Sequence, residues 1–251
     1  MSYNRFVDKV VIVTGAASGI GEKAAKSFAE ESAQVVVADI NDEEGQRVVD
    51  EIKEAGGEAI FVHADSSQEA DNRKMIQAAV DQYGKLDSVV ANAGINIEAK
   101  IADLSVEDYK KVRSINLDGT FYANKFAVEQ FLKQGNGGSI VNIGSIHSHV
   151  AREGLTAYAT TKGGIQMLTK QVGTDYADQG IRCNMVCPAY INTPLTETVA
   201  PEIRKELANM HPIKRMGEVD EVSAAILFLA SDDASFITGS DVKVDGGYTA
   251  V

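Results

Sequence analysis

At 251 residues the chain can bury a full core, and it is short enough for one α/β unit. With 36 Asp and Glu against 24 Lys and Arg it carries a net charge of -12, which disfavours nucleic acid and anionic membranes as partners. Only two cysteines, no run of the ~18 apolar residues a membrane span needs, and no apolar stretch in Met1–Lys9 point to a reducing cytoplasm.

Val10–Thr14 is a short β-branched run of the kind found in buried parallel strands. A helix is expected over 19–31, then a strand over 34–39. A charged helix over 42–55 is stopped by Gly56-Gly57. A strand follows over 58–63, a helix over 68–83 with Gly84 as its stop, and a strand over 88–91. Ser105-Val-Glu-Asp108 reads as a capping box that opens one long helical stretch to about Gln134. A strand over 139–144, a helix over 157–177 and a strand over 181–186 come next. The polar segment holding Pro188, Pro194, Pro201 and Pro212 is expected to be a mobile loop with a short helix. A helix over 218–230 and a strand over 241–244 end the pattern. Strands alternating with helices of this length imply one parallel sheet covered on both faces. Ligands of such sheets bind at the carboxyl ends of the strands.

The first strand runs into Thr14-Gly-Ala-Ala-Ser-Gly-Ile-Gly21. Gly15, Gly19 and Gly21 permit a tight turn and close approach of the backbone to a pyrophosphate at the helix N-terminus. Asp39 ends the second strand, where a carboxylate can accept both adenosine ribose hydroxyls and would repel a 2′-phosphate. No base stands beside it in sequence, since Ser18 and Ile40-Asn41 are its neighbours in this reading, so NAD is favoured over NADP. Tyr158 and Lys162 are four apart and share a helix face, and Ser145 follows the fifth strand directly.

With these motifs in this order, the chain resembles the short-chain dehydrogenase/reductase family over essentially its whole length. The glycine turn matches that family's cofactor motif, which implies that Gly15, Ser18, Gly19, Ile20 and Gly21 line the cofactor. Ala91-Asn-Ala-Gly94 is similar to the family's Asn-Asn-Ala-Gly motif, with Asn92 implied at the cofactor and Ala91 replacing the first Asn. Cys187-Pro-Ala-Tyr-Ile-Asn-Thr193 resembles the segment that holds the nicotinamide, implying Pro188 and Thr193 as contacts. Ala189 stands there where Gly is usual, and a required positive φ would strain it. Asp65 resembles the residue that meets the adenine, although a helix N-cap is an equal reading. Asn116, Ser145, Tyr158 and Lys162 match the family's catalytic tetrad. The resemblance implies a three-layer, Rossmann-type doubly wound α/β fold with a seven-stranded parallel sheet, a single domain over 1–251, and a substrate loop at about 188–217.

Chemistry then assigns roles. A free tyrosine has a pKa near ~10, too high for a base at neutral pH. The Lys162 ammonium and the positive nicotinamide are expected to lower that of Tyr158, the general base in alcohol oxidation. Ser145 would bind the substrate oxygen. The resemblance implies that Asn116 holds a water linking Lys162 to solvent. An Asn bonded to neighbouring backbone inside a helix is the plainer alternative.

Between Ser145 and Tyr158, the residues His147, His149, Arg152 and Glu153 offer many hydrogen-bonding groups. With Tyr190 after Pro188, they suit a sugar, polyol or hydroxy acid, His147, Arg152 and Tyr190 being the substrate candidates. No metal site is expected, because His147-x-His149 has no third ligand nearby in sequence. The function expected is therefore an NAD-dependent oxidoreductase acting on a small polar secondary alcohol. A 3-oxoacyl-carrier-protein reductase is the alternative, and a catalytically silent NAD-binding sensor a third reading. The resemblance also implies a homotetramer built on the helices from Ser105 and Ala157, with Phe121, Tyr122, Phe126, Phe131 and Leu132 as apolar surface.

Overall fold

The computed structural model describes residues 4–197 and 200–251. Seven parallel strands form one sheet: β1 (Val10–Thr14), β2 (Gln34–Asp39), β3 (Glu58–His63), β4 (Ser88–Ala91), β5 (Gly138–Ile143), β6 (Ile181–Pro188) and β9 (Asp241–Val244), in the order β3-β2-β1-β4-β5-β6-β9. This is the doubly wound sheet the sequence implied. Its order reverses between β1 and β4, and that switch point is where a crevice opens above the strand ends.

Both faces are covered, so the strands are apolar on both sides. Val11 and Val13 of β1 enter one cluster with α1 (Gly19–Glu30), α2 (Asp42–Glu54) and α9 (Val219–Ala230). Val10 and Ile12 enter the other, with α3 (Glu69–Tyr83) and α5 (Gly119–Gln134). On that second face α6 (Thr156–Asp175) adds Ile165 against Met185 and Cys187 of β6. Burying each such Val or Ile stabilises the fold by roughly 1.5–3 kcal/mol.

Three local features differ from the sequence expectation. The stretch from Ser105 is interrupted: α4 (Val106–Arg113) passes through a π turn at Ser114–Asp118 into α5. The extra residue per turn rotates Asn116 inward, and π bulges recur at functional sites for this reason. Secondly, the segment after Pro188 is a small lobe. Here β7 (Ile191–Asn192) pairs with β8 (Gly217–Glu218) and closes over α7 (Pro194–Glu197) and α8 (Pro201–Asn209). Buried Leu207, His211 and Met216 hold the lobe down, while residues 198 and 199 of the expected loop lie outside the described residues. Thirdly, Phe126 and Phe131 face the core and only Phe121 and Leu132 of the expected apolar surface are exposed, because α5 turns the first pair toward the sheet. No helix among the described residues is long and apolar enough to cross a membrane.

The tips of β1 and β4 are joined through one hydroxyl. Thr14 Oγ1 accepts from the backbone N–H groups of Asn92 (3.0 Å) and Ala93 (3.1 Å). Thr14→Val keeps the shape but strands both donors, which should cost about 1–3 kcal/mol for each one left unpaired. Urea unfolding should show that loss, while Thr14→Ser, which keeps the oxygen, should stay within about 1 kcal/mol of the parent.

Candidate active site

The glycine turn is shaped by contact with β4. Gly15 and Gly19 have φ of 62° and 57°, which side chains rarely adopt. A Cβ on Gly15 would lie 2.8 Å from Ala93 Cα, and one on Gly21 would collide with Gly15 O. Asn92 Nδ2 donates to Thr14 O and Gly15 O, both at 3.0 Å, so this side chain holds the turn in place. The N-cap of α1, Ser18, makes no side-chain capping bond. First-turn N–H groups have no partner within a helix, and here they face a cleft lined by Gly15, Ser18, Gly19 and Ile20. An anionic phosphate fits that end of the cleft.

Asp39 stands on the same wall. Its Oδ2 accepts from Ala17 N at 2.9 Å and its Oδ1 from Asn41 N at 3.0 Å. A carboxylate has about four acceptor sites, so two remain for ligand hydroxyls. The structure also brings up a base that sequence reasoning missed. Arg47 Nη2 reaches Ala17 O at 3.3 Å. That guanidinium is already gripped by Glu44 (2.7 Å), Glu51 (2.8 Å) and Glu22 (3.0 Å), which hold it firmly charged. Asp65 lines the cleft too, but it caps the turn at Ser66-Ser67 through Ser67 N (2.9 Å) and Oγ (2.8 Å). Helix α3 is instead entered through Gln68.

Further along the cleft lie Ser145, Tyr158 and Lys162. Ser145 leaves β5 in extended conformation, and its Oγ accepts from His147 N at 3.1 Å. Lys162, one turn after Tyr158 on α6, is buried, donates to Ile143 O at 2.7 Å and lies 5.5 Å from the Tyr158 ring centre. Asn116 is fully buried. Its Oδ1 accepts from Ile95 N (2.8 Å), and its Nδ2 donates to Ile95 O (2.9 Å) and Thr161 Oγ1 (3.3 Å). The side chain therefore fixes the loop after β4 to α6, bonding to distant segments and not to the neighbouring backbone of its own helix. Pro188 ends β6 on the opposite wall and Thr193 packs over Gly19. Ala189 has no positive φ and donates to Val244 O at 3.1 Å, so the expected strain is absent. The whole cleft has a volume of about 570 Å³.

A family model described as Enoyl-(Acyl carrier protein) reductase matches residues 15–249. The chain is 42% identical to a cyclohexanol dehydrogenase of Acinetobacter sp., over 98% of this chain and 97% of that one. It is 37% identical to glucose 1-dehydrogenase 2 of Bacillus subtilis, again over 98% and 97%. A crystal structure of a short-chain type dehydrogenase/reductase from Mycobacterium marinum superposes with a TM-score of 0.94 at 34% identity, covering 98% of this chain and 97% of that one. The chain belongs to the short-chain dehydrogenase/reductase family. It is an oxidoreductase.

In this dehydrogenase/reductase the protein's own groups, without the positive nicotinamide that the sequence reading also invoked, do not lower the pKa of the tyrosine. Burial pushes the Tyr158 hydroxyl up, with Ser145 opposing it. Burial also brings Lys162 down to about 8, since no carboxylate among the described residues pairs with it. Tyr158 and Lys162 are thus both desolvated, and desolvation opposes the charged form of each.

Of the four polar residues after Ser145, two line the cleft. His147 is buried beside Tyr158 and Tyr190, with ring centres 6.4 and 6.2 Å away. Its Nδ1 meets Val150 O at 3.1 Å, a carbonyl that requires a donor, so Nε2 is the acceptor. That Nε2 is buried with no partner, and burial holds the ring's pKa below the usual histidine value. Arg152 donates to Tyr190 Oη at 3.2 Å and approaches Glu98 at 3.8 Å. His149 and Glu153 lie off the cleft wall, because the turn at 146–148 points His149 toward Asp241 and Glu153 pairs with Lys100 at the surface. Asn96 and Glu98 line the cleft and were missed, although their place just after the β4 motif was a usable signal.

The buried lysine gives a test that needs no substrate. A lysine whose folded pKa is about 8 destabilises the fold fully below pH 8, and the cost fades as pH rises toward the unfolded value of 10.5. Lys162→Met should therefore melt above the parent at pH 7, and the gap should shrink steadily as pH rises from 8 toward 10.5, as read by thermal unfolding across that range.

Proposed function

We propose that this chain is an NAD-dependent oxidoreductase that interconverts a small polar secondary alcohol and its carbonyl by hydride transfer. The observation that carries the reading is one continuous cleft with an uncapped helix end and Asp39 at one extreme and Ser145, Tyr158 and Lys162 at the other. Cyclohexanol and glucose, named for two relatives, both fit an alcohol as substrate.

The nicotinamide ring, when bound, accepts or gives the hydride. Gly15, Ser18, Gly19 and Ile20 would hold the pyrophosphate, Asp39 the adenosine ribose and Asp65 the adenine side. Asn92 acts by keeping the turn closed, and Pro188 and Thr193 wall the nicotinamide end. Tyr158 takes the alcohol proton in oxidation and returns it in reduction. Ser145 donates to the substrate oxygen as charge develops there. Lys162 places a positive charge behind the Tyr158 ring, and Asn116 fixes the loop that borders it. The unpartnered Nε2 of His147 accepts from a second substrate hydroxyl, and Arg152 and Tyr190 offer further polar contacts. That spare acceptor supports a sugar, polyol or hydroxy acid over an apolar alcohol, since a buried polar group without a partner is costly.

The preference for NAD rests on Asp39 and on Arg47 being occupied by three glutamates, which leaves no free cation for a 2′-phosphate at that wall among the described residues. Exposed Phe121 and Leu132 on α5 and Met167 on α6 support assembly as a homotetramer, and two free, buried thiols suit a reducing cytoplasm.

The assay is NADH or NADPH formation with a panel of polyols, aldoses, hydroxy acids and 3-hydroxyacyl thioesters. Turnover of a polyol or sugar with NAD is the expected result. Turnover of acyl thioesters alone, with NADP, would sink this reading in favour of the carrier-protein reductase. Tyr158→Phe should lower kcat about 10²–10⁴-fold with NAD still bound, and unchanged function in that variant would favour a silent sensor. Asp39→Ser should shift the NAD to NADP ratio of kcat/KM toward NADP by about 10–100-fold, the worth of a charge-assisted hydrogen bond.

A further inference from the structure

A second cluster of chemically active side chains lies outside the cleft. His149 follows the turn after Ser145, Cys187 sits near the end of β6 and Asp241 opens β9, and none of the three lines the cleft. His149 Nε2 is 2.8 Å from Asp241 Oδ2 and 3.6 Å from Cys187 Sγ, and the three ligand atoms all lie within 4.8 Å of one another. We propose that these residues bind a divalent, thiol-seeking cation of the zinc(II) class.

Imidazole, thiolate and carboxylate are the three donor types that zinc takes, and bonds of about 2.0–2.3 Å in a tetrahedron set neighbouring ligand atoms about 3.3–3.8 Å apart. The observed spacing needs shifts below about 1 Å to reach that geometry. Two of the ligands are preset by the sheet. Asp241 pairs in register with Met185, and Cys187 is two residues on from Met185, so both side chains leave the same face of adjacent strands. The His149 and Asp241 side chains keep 19% and 22% exposure, so an ion has a way in and a water can complete the fourth position.

Gln166 of α6 supplies the outer contact such sites use. Its Nε2 lies 2.7 Å from Asp241 Oδ2 and 3.2 Å from His149 Nδ1. With a cation on the His149 and Asp241 ligand atoms, Gln166 Nε2 keeps its hydrogen bond to the ligating Asp241 carboxylate. Lys170 and Lys243 disfavour extra positive charge at His149, while Asp241 and Asp245 favour it. Ligation by one thiolate and one carboxylate leaves a divalent ion neutral in that field. Binding breaks the Cys187 S–H bond, forms the S–metal bond and releases the proton to solvent, with no change of oxidation state. The bound ion would tie the loop that carries Ser145 and His147 to β6 and β9 from behind.

The test uses the full, tag-free chain, stripped with a chelator and titrated with Co²⁺ alone. One equivalent per chain should produce a sulfur-to-cobalt charge-transfer band, and Zn²⁺ should displace it and raise the melting temperature by mass action. The band should be lost in Cys187→Ser, persist in Cys183→Ser, and need at least about 10-fold more Co²⁺ in His149→Gln or Asp241→Asn. Absence of a saturable band in the parent, or a band that survives in Cys187→Ser, overturns the site. Should Cys187→Ser fail to fold, the partly exposed His149→Gln decides, and unchanged cobalt affinity there overturns it equally.

Discussion

The molecule is organised by how closely the tip of β1 has to approach the tip of β4. At Gly15 no side chain fits, since a Cβ there would lie 2.8 Å from Ala93 Cα. Thr14 and Asn92 fill the gap with hydrogen bonds instead, and those bonds aim the free end of α1 into the crevice where the sheet order reverses. The glycine-turn wall of the cleft, on which Asp39 also stands, follows from that contact. Ala91, where the family usually has an asparagine, is accommodated there as a buried residue of the second apolar cluster.

At the other end of the cleft the protein holds two desolvated groups against each other. Lys162 is buried with a single carbonyl as its short partner, and Tyr158 is pushed toward the neutral hydroxyl. Both shifts come from burial and disfavour the charged form of each group. A cation bound beside Tyr158 under the proposed function would favour its charged form and oppose that effect of burial. The π turn serves the same end, because it turns Asn116 inward to clamp Ile95 and so sets the wall beside Lys162.

The sheet, its seven strands and the family were legible because they depend on short-range signals. These are β-branched runs, glycine stops and motifs that each lie on one strand end. Ser145, Tyr158 and Lys162 meet because a parallel sheet brings all its carboxyl ends to one edge, which the alternation of elements already implied. Other features had no local signature. Asn116 read as part of one long helix, since a π turn changes hydrogen bonding without changing composition. Arg47 lies in the charged helix after Asp39 and looked like ordinary solvated surface, yet its guanidinium reaches the glycine turn. His149 and His147 are indistinguishable as letters, and one reversal of the chain sends them to opposite surroundings.

By itself, then, the sequence determined the layered α/β architecture, the glycine turn after β1 and the set of reactive residue types, because periodicity and glycine placement act over a few residues. The tertiary structure decided which charges are occupied, which polar atoms are left without partners, and which side chains from distant segments converge. Arg47 among three glutamates, the spare Nε2 of His147 and the meeting of His149 with Cys187 and Asp241 are of that kind. Each depends on strand register and loop direction, and those are set by packing across the whole sheet.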